Sequence, residues 1–234
     1  MQQGSAEWLD HRAKHAATAS QYGAAIGVGY ISRRKYMRQK LGIDESDPPN
    51  WRMQEGNRRE PHIAELYYRI MHAWQHPVQL SVDAFVKDPD DPRIGGSVDR
   101  LVTDSNNDRW VLEIKTQPDA DYVRNEVPIT HLLQMLGLCH AYGYDKAHYI
   151  CSAYGHGIFL AEVTWRPGFW NTEIYPRLRQ FADWWALRRT PPIMRSEEKM
   201  ALIAKIRANS FVTRIPALVA PMPLQEYLQI EADR

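Results

Sequence analysis

An aspartate, a glutamate and a lysine in the stretch 94–116, IGGSVDRLVTDSNNDRWVLEIKT, have the types and spacing of groups that hydrolyse phosphate esters. Asp99 precedes Glu113 by fourteen residues, and Lys115 follows two beyond. Side chains on a strand alternate between faces, so Glu113 and Lys115 share one face while Leu112 and Ile114 share the other. A core takes the two aliphatic residues. That leaves a carboxylate beside an ammonium, opposite Asp99, with the Ile114 backbone carbonyl as a further hard oxygen. Such donors suit Mg²⁺ or Mn²⁺ rather than zinc. An isolated Glu-x-Lys pair is ordinarily a surface salt bridge. Here Gly-Gly-Ser-Val-Asp precedes it, and consecutive glycines before a strand aspartate let a phosphate backbone or a metal approach closely.

The elements that position these residues follow from periodicity. Segments 94–102 and 110–115 flank the turn-forming run Thr103–Asp108 and read as a hairpin with Asp99 on its first strand. A helix runs from the N-terminal region to about His15, and Ser20 opens a second as its N-cap. There the Arg12 guanidinium, the Ser20 hydroxyl and free helix N–H groups form a candidate anion pocket, or an ordinary capped helix beside a surface arginine. After a proline-rich loop at 44–50, helical spacing of Ile63, Leu66, Tyr67, Ile70, Met71 and Trp74 predicts a helix over 55–75. Glu60 lies on that apolar stripe and points inward, where a carboxylate needs a cationic partner. The helix dipole is the other reason for a glutamate in a first turn.

Further along, strands are expected at 78–86, 146–153 and 157–165, the last two joined by Tyr154-Gly155-His156, with loops at 87–93 and 117–127. Pro128 starts a helix that carries Gln134 among leucines, as a packing hydrogen-bonder or as a partner for Lys115 or a phosphate. A long helix over 170–189 has Pro176 as a kink or as an early-turn residue. One domain is expected, with a core over 1–190 and a tail over 191–234 that holds one short charged helix and packs between subunits or around its own domain.

Lys plus Arg number 29 against 28 Asp plus Glu, so net charge says nothing about nucleic acid and the distribution must be read instead. Residues 31–40 carry Arg33, Arg34, Lys35, Arg38 and Lys40 with no acid, whereas 81–121 hold ten acids against five bases. A basic entrance beside an acidic centre fits a polyanion whose scissile phosphate meets a cation, although a basic run also serves as a solvated helix face. Cys139 and Cys151 have neither disulfide nor zinc spacing. With no signal peptide and no apolar run near 18 residues, a soluble cytoplasmic protein is expected, without a membrane partner. Gly27-Val28-Gly29 lacks the rest of a dinucleotide fingerprint.

Taken in order, E-W-L-x-x-R from Glu7 to Arg12, T-A-S from Thr18 to Ser20, G-N-R-R-E from Gly56 to Glu60, G-G-S-V-D from Gly95 to Asp99, L-E-I-K-T from Leu112 to Thr116 and P-x-x-x-x-x-Q from Pro128 to Gln134 form a specific pattern. Over roughly residues 4–189 the chain resembles the lambda exonuclease/YqaJ branch of the PD-(D/E)XK nuclease superfamily. The resemblance implies an α/β, restriction-endonuclease-like fold, a central mixed sheet flanked by helices. It also implies two Mg²⁺ or Mn²⁺ ions and 5′→3′ hydrolysis of one strand from 5′-phosphorylated duplex ends. Asp99, Glu113 and the Ile114 carbonyl would hold the first ion and Glu60 would help hold the second. Lys115 would orient or deprotonate the attacking water, and Gln134 would steady the centre. Arg12, Ser20 and Ser97 match the family's 5′-phosphate pocket, and Met53 occupies the place of an apolar wedge between terminal base pairs. Arg33, Arg34 and Lys35 are the candidate basic entrance. A closed homotrimer, a single-strand annealing partner and a bacterial, phage or prophage origin complete what the resemblance implies. Two alternatives use the same residues: a structure- or sequence-specific endonuclease, and a catalytically weak DNA-end-binding recombination module.

Overall fold

A computed structural model of the chain describes residues 6–45, 48, 50–82, 85–117, 127–153 and 157–215. A six-stranded mixed sheet runs in the order β2 (Val78–Ser81), β5 (Arg100–Asp104), β6 (Arg109–Gln117), β7 (Lys146–Ala153), β8 (Gly157–Thr164), β9 (Phe211–Arg214). Within this sheet, among the described residues, only β6 and β7 pair in parallel, and the helix α5 (Ile129–Tyr142) lies between them in sequence, as a parallel pair requires. β5 and β6 form the expected hairpin. Its turn is held by the Asp104 carboxylate, which accepts from the Asn106 and Asp108 amides, and Asn107 supplies the left-handed residue at φ 66°. A second, three-stranded sheet is ordered β1 (Ala17–Thr18), β4 (Ile94–Gly96), β3 (Val86–Lys87).

Helices cover both faces of the large sheet. On one face, α4 (Trp51–Ala73) packs Ile63, Ala64, Tyr67 and Met71 on Val102, Trp110, Leu112, Ile114 and Ile150. On the other, α5 packs Leu132, Leu133, Met135 and Leu136 with Val111, Tyr149 and Cys151, beside α2 (Tyr22–Ile26) and α6 (Tyr175–Ala186). Further helices are α1 (Ala6–Ala13), α3 (Arg33–Lys40) and α7 (Ser196–Asn209). Leu202 and Ile206 of α7 are buried in this second core and β9 pairs with β8, so the described part of the tail is built onto the same sheet. No helix among the described residues is long and apolar enough to cross a membrane. Both cysteines are buried free thiols.

Several expectations are corrected. The run 94–102 is not one strand: it leaves the small sheet after Gly96 and enters the large one at Arg100, with Ser97, Val98 and Asp99 at the crossing. Likewise 78–86 divides between the two sheets. α4 starts at Trp51 because the Asn50 side chain accepts from the Met53 amide at 3.0 Å, an N-cap that outweighs the prolines before it. Before α6 the chain takes a π-helical turn over Trp170–Ile174, and Pro176 falls at the start of α6, as an early-turn residue. The expected loop over 118–126 and the turn Tyr154–His156 lie outside the described residues.

A buried polar chain links α4 to the sheet. Trp110 Nε1 donates to Tyr67 Oη at 2.9 Å, Tyr67 Oη lies 2.7 Å from His148 Nδ1, and His148 Nε2 lies 3.4 Å from Glu162 Oε2. One consistent arrangement has Tyr67 donating to Nδ1 and Nε2–H donating to Glu162, with burial favouring the neutral ring. Tyr67→Phe leaves the indole N–H and a ring nitrogen unsatisfied. We expect it to cost about 1–3 kcal/mol in urea unfolding, with little change in far-UV circular dichroism.

Candidate active site

The crossing between the two sheets positions Asp99. β5 pairs with β6 only as far as Arg100 opposite Leu112, so Ile114 extends beyond the ladder on that edge. The amide of Ile114 donates instead to Asp99 Oδ2 at 2.8 Å, which fixes a buried carboxylate where a strand would otherwise continue. In extended backbone the N–H and C=O of one residue share an edge, so the Ile114 carbonyl faces the same side as Asp99. The consecutive glycines do not open space for a ligand. A Cβ on Gly95 would meet the Val86 carbonyl at 2.5 Å, and one on Gly96 would strike the Ala19 side chain. Their bareness lets β4 lie between its neighbours and brings the 19–20 turn against the strand that leads to Asp99.

Glu113 and Lys115 share a face of β6, but α5 covers that face and Glu113 is fully buried. Lys115 Nζ pairs with Glu113 and lies 3.9 Å from Asp99 Oδ2. From α4, Glu60 Oε1 accepts from Arg100 Nη1 at 2.7 Å, so Arg100, which the sequence reading passed over, is the cation that meets the inward glutamate. Its place directly after Asp99 was the available signal. Burial, with Asp99 adding to it, pushes the Glu60 carboxyl up. Burial and Asp99 likewise push Glu113 up, against the pull of Lys115. Burial opposes charge on Lys115, yet Glu113, Asp99 and Glu60 together hold it as an ammonium. Three carboxylates thus face two cations.

The donor set has the chemistry of a divalent-ion site. Glu113 Oε2 is buried and has no hydrogen-bond partner, and an anionic oxygen left in that state is costly unless a cation meets it. Together with Asp99 and Glu60 it offers the oxygen ligands that Mg²⁺ or Mn²⁺ takes, so the residues fit such an ion. Among the described residues, the His and acidic side chains whose ligand atoms all fall within 4.8 Å of one another are different ones: Asp88, Asp90 and His140. Asp88 is already engaged, accepting from Tyr175 Oη at 2.7 Å and from the Asp90 and Asp91 amides, with His140 Nε2 at 3.2 Å. That group ties the 88–91 loop to α5 and α6.

Gln134 is buried on α5, and among the described residues no hydrogen bond joins it to Lys115. One turn earlier, buried His131 places Nδ1 3.0 Å from the Tyr149 hydroxyl, and Tyr149 pairs in register with Glu113. Sequence reading missed both residues, since neither has a motif.

Arg12 and Ser20 do meet. Arg12 Nη2 donates to Ser20 Oγ at 2.8 Å and to Thr18 Oγ1 at 2.9 Å. Ser20 is not a helix N-cap, as expected from sequence; it lies inside a 3₁₀ turn, Ala19–Gln21, that precedes α2. Pairing of Thr18 with Gly95 brings this turn alongside the strand that leads to half-buried Ser97. Lys40 Nζ donates to the Arg12 and Ala13 carbonyls at 2.9 and 3.2 Å, closing the end of α1, and burial followed by the Arg12 charge brings it down to about 8. The basic run is largely used in folding: Arg33 Nε donates to the Pro192 carbonyl at 3.0 Å and stacks on Trp184, and Arg38 grips Asp44. Arg34 and Lys35 face outward. Met53 is 56% exposed in the first turn of α4, next to exposed Trp51.

Burial, assisted by the Lys115 charge, pushes His131 down to about 3. Its folded value therefore lies below its unfolded one, so the unfolded chain binds a proton that the folded chain refuses and stability falls as pH drops below about 6.5. Between pH 7 and pH 5, wild type should lose on the order of 2 kcal/mol more than His131→Gln in urea unfolding; equal losses would mean that His131 is not buried.

With this geometry in hand, comparison with known proteins is specific at the family level. The model of the YqaJ-like viral recombinase domain matches residues 7–151, more than half of the chain and a span that holds Arg12, Ser20, Glu60, Asp99, Glu113, Lys115 and Gln134. No curated protein sequence matches. Among solved structures, an alkaline exonuclease from Laribacter hongkongensis superposes with a TM-score of 0.61 at 17% identity over 98% of both chains. Its complex with dAMP gives 0.55 at 16% identity over the same shares. A phage related exonuclease from Haemophilus somnus 129PT gives 0.56 at 13% identity over 74% of this chain and 94% of its own. At such identities the likeness is one of fold, and it bears out the α/β arrangement of a central mixed sheet flanked by helices. The chain belongs to the YqaJ-like viral recombinase domain family.

Proposed function

We propose that the chain is a Mg²⁺-dependent 5′→3′ exodeoxyribonuclease that degrades one strand of linear duplex DNA from 5′-phosphorylated ends and leaves a 3′ single-stranded tail for recombination by strand annealing. The observation that carries this reading is the set of buried Asp99 and Glu113 with half-buried Lys115, with the unpartnered Glu113 Oε2, in a member of this family. The exonucleases that share the fold support it. Asp99, Glu113 and the Ile114 carbonyl would hold one divalent cation, and Glu60 would help hold a second. Cations in such a pair lower the pKa of the attacking water and neutralise charge on the scissile phosphate. Lys115 orients that water with its ammonium hydrogens, and Gln134 supports the centre from α5. Arg12, Ser20 and Ser97 receive the terminal 5′ phosphate, which sets the direction of travel. Exposed Met53 is the wedge between terminal bases, and Arg34 and Lys35, with Arg33 behind them, meet the phosphate backbone outside. The working form is a homotrimer around DNA, in the cytoplasm of a bacterium carrying phage or prophage, with an annealing protein taking the tail; family membership supports this part.

Asp99→Asn should reduce cleavage of linear duplex in Mg²⁺ to background on gels. Lys115→Ala should bind DNA with near wild-type affinity and cleave about 10²–10⁴-fold more slowly. Wild-type rates in the Asp99 variant would sink the site assignment.

Direction is tested with ends. Wild type should digest 5′-phosphorylated linear duplex faster than 5′-hydroxyl duplex, and Arg12→Ala should erase the difference. Equal rates on the two ends in wild type would remove the phosphate pocket, and cutting of covalently closed circles would make the chain an endonuclease.

A further inference from the structure

The glycine turn that fits no dinucleotide fingerprint has another use. Gly27 closes α2 in the left-handed region at φ 94°, and the Val28 amide returns to the Gly23 carbonyl at 2.8 Å, so the chain doubles back along α2. Gly29 then lies against the first turn of α2, where a Cβ would stand 2.5 Å from the Ala24 amide nitrogen. Val28 is buried and Ile31 packs on the core, but Tyr30 between them is 76% exposed. Its hydroxyl lies 3.4 Å from Thr130 Oγ1 in the first turn of α5.

The position is informative. α2 follows directly on the turn that carries Ser20, and Gly29 lies against the start of α2, so the chain returns at Tyr30 toward the end of α2 that adjoins this turn. On its other side are the start of α5 and Tyr149, the register partner of Glu113; burial keeps the Tyr149 phenol neutral, with Cys151, Glu113 and Tyr30 adding to that effect. An exposed aromatic ring thus stands beside the start of α5 on the returning segment. Its backbone is fixed by the glycine turn, so ordering on stacking costs side-chain freedom alone.

Resting on the nuclease reading, we propose that Tyr30 is a positioning residue whose ring stacks on a base of the DNA strand being digested. Bases offer a π-face whatever their identity, so the contact holds the strand without imposing sequence preference. Stacking occurs while the phosphates on either side of that nucleotide are engaged by the two charged sites.

The test uses the full chain and a linear duplex with a 5′ phosphate and 2-aminopurine as its first base, in Ca²⁺ so that the probe is not consumed. Wild type should quench the probe on binding. Tyr30→Ala should lose the quench and bind roughly tenfold more weakly, while Tyr30→Phe restores both. With unlabelled duplex in Mg²⁺, the alanine variant should raise KM by more than it lowers kcat. Its melting temperature should match wild type, because the ring is outside the core. Stacking is overturned if the alanine variant quenches and binds as wild type does, if the phenylalanine variant is equally impaired, or if only the mass by light scattering changes, which would make Tyr30 a subunit contact. A wild type that neither binds nor cleaves the duplex would overturn the nuclease reading, and stacking with it; one that cleaves while the alanine variant keeps its quench overturns stacking alone.

Discussion

The hydrogen bond from the Ile114 amide to Asp99 Oδ2 is the constraint on which the site depends. A backbone carbonyl would ordinarily take that amide if β5 continued opposite β6. Because the chain instead arrives from the small sheet, a side chain takes its place, and a carboxylate is fixed against the backbone of the strand that carries Glu113 and Lys115. The next residue, Arg100, then reaches Glu60 on α4. One crossing therefore sets the relative positions of three acids, Asp99 at the crossing itself, Glu113 on a strand and Glu60 on a helix.

This arrangement gathers charge in a covered place. Burying ion pairs is not a source of net stability, since desolvation offsets their attraction unless every remaining polar atom is satisfied. Glu113 Oε2 is not satisfied, and neither Lys115 nor Arg100 reaches it. A fold selected only for stability would place an aliphatic side chain there, as it does at Val111 on the same face. The surrounding structure bears that cost: α4 is tied down through Tyr67, Trp110 and His148, and α5 packs most of its length on β6 and β7.

Sequence and structure agree where a pattern is local. The hairpin turn, the apolar stripe of α4 with Glu60 on it, the helix after Pro128 and the β7–β8 pair all follow from spacing within one element, because side-chain direction is set by helix or strand geometry alone. Agreement fails where a residue's role is set by a distant partner. Gly95 and Gly96 read as room for a ligand but are bare for Val86, Phe85 and Ala19. Arg33, Arg38 and Lys40 read as an open basic surface but are spent on Pro192, Asp44 and the end of α1. His131 and Tyr149 carried no signal at all, and Arg100 only its place directly after Asp99.

By itself the sequence determined which residues could do chemistry and on which face of its own element each lies. Asp99, Glu113, Lys115, Glu60, Arg12 and Ser20 are legible in that sense, and the order of their motifs identifies the family. Only the tertiary structure decided that Glu113 is covered rather than solvated, that Asp99 is held at a crossing between sheets, and that Arg100 answers Glu60. The physical reason is that periodicity fixes direction relative to a single helix or strand. Burial and electrostatic partnership depend on what packs against that element, and those partners are brought in from distant parts of the chain, 40 residues away for Arg100 and Glu60 and 159 for Arg33 and Pro192.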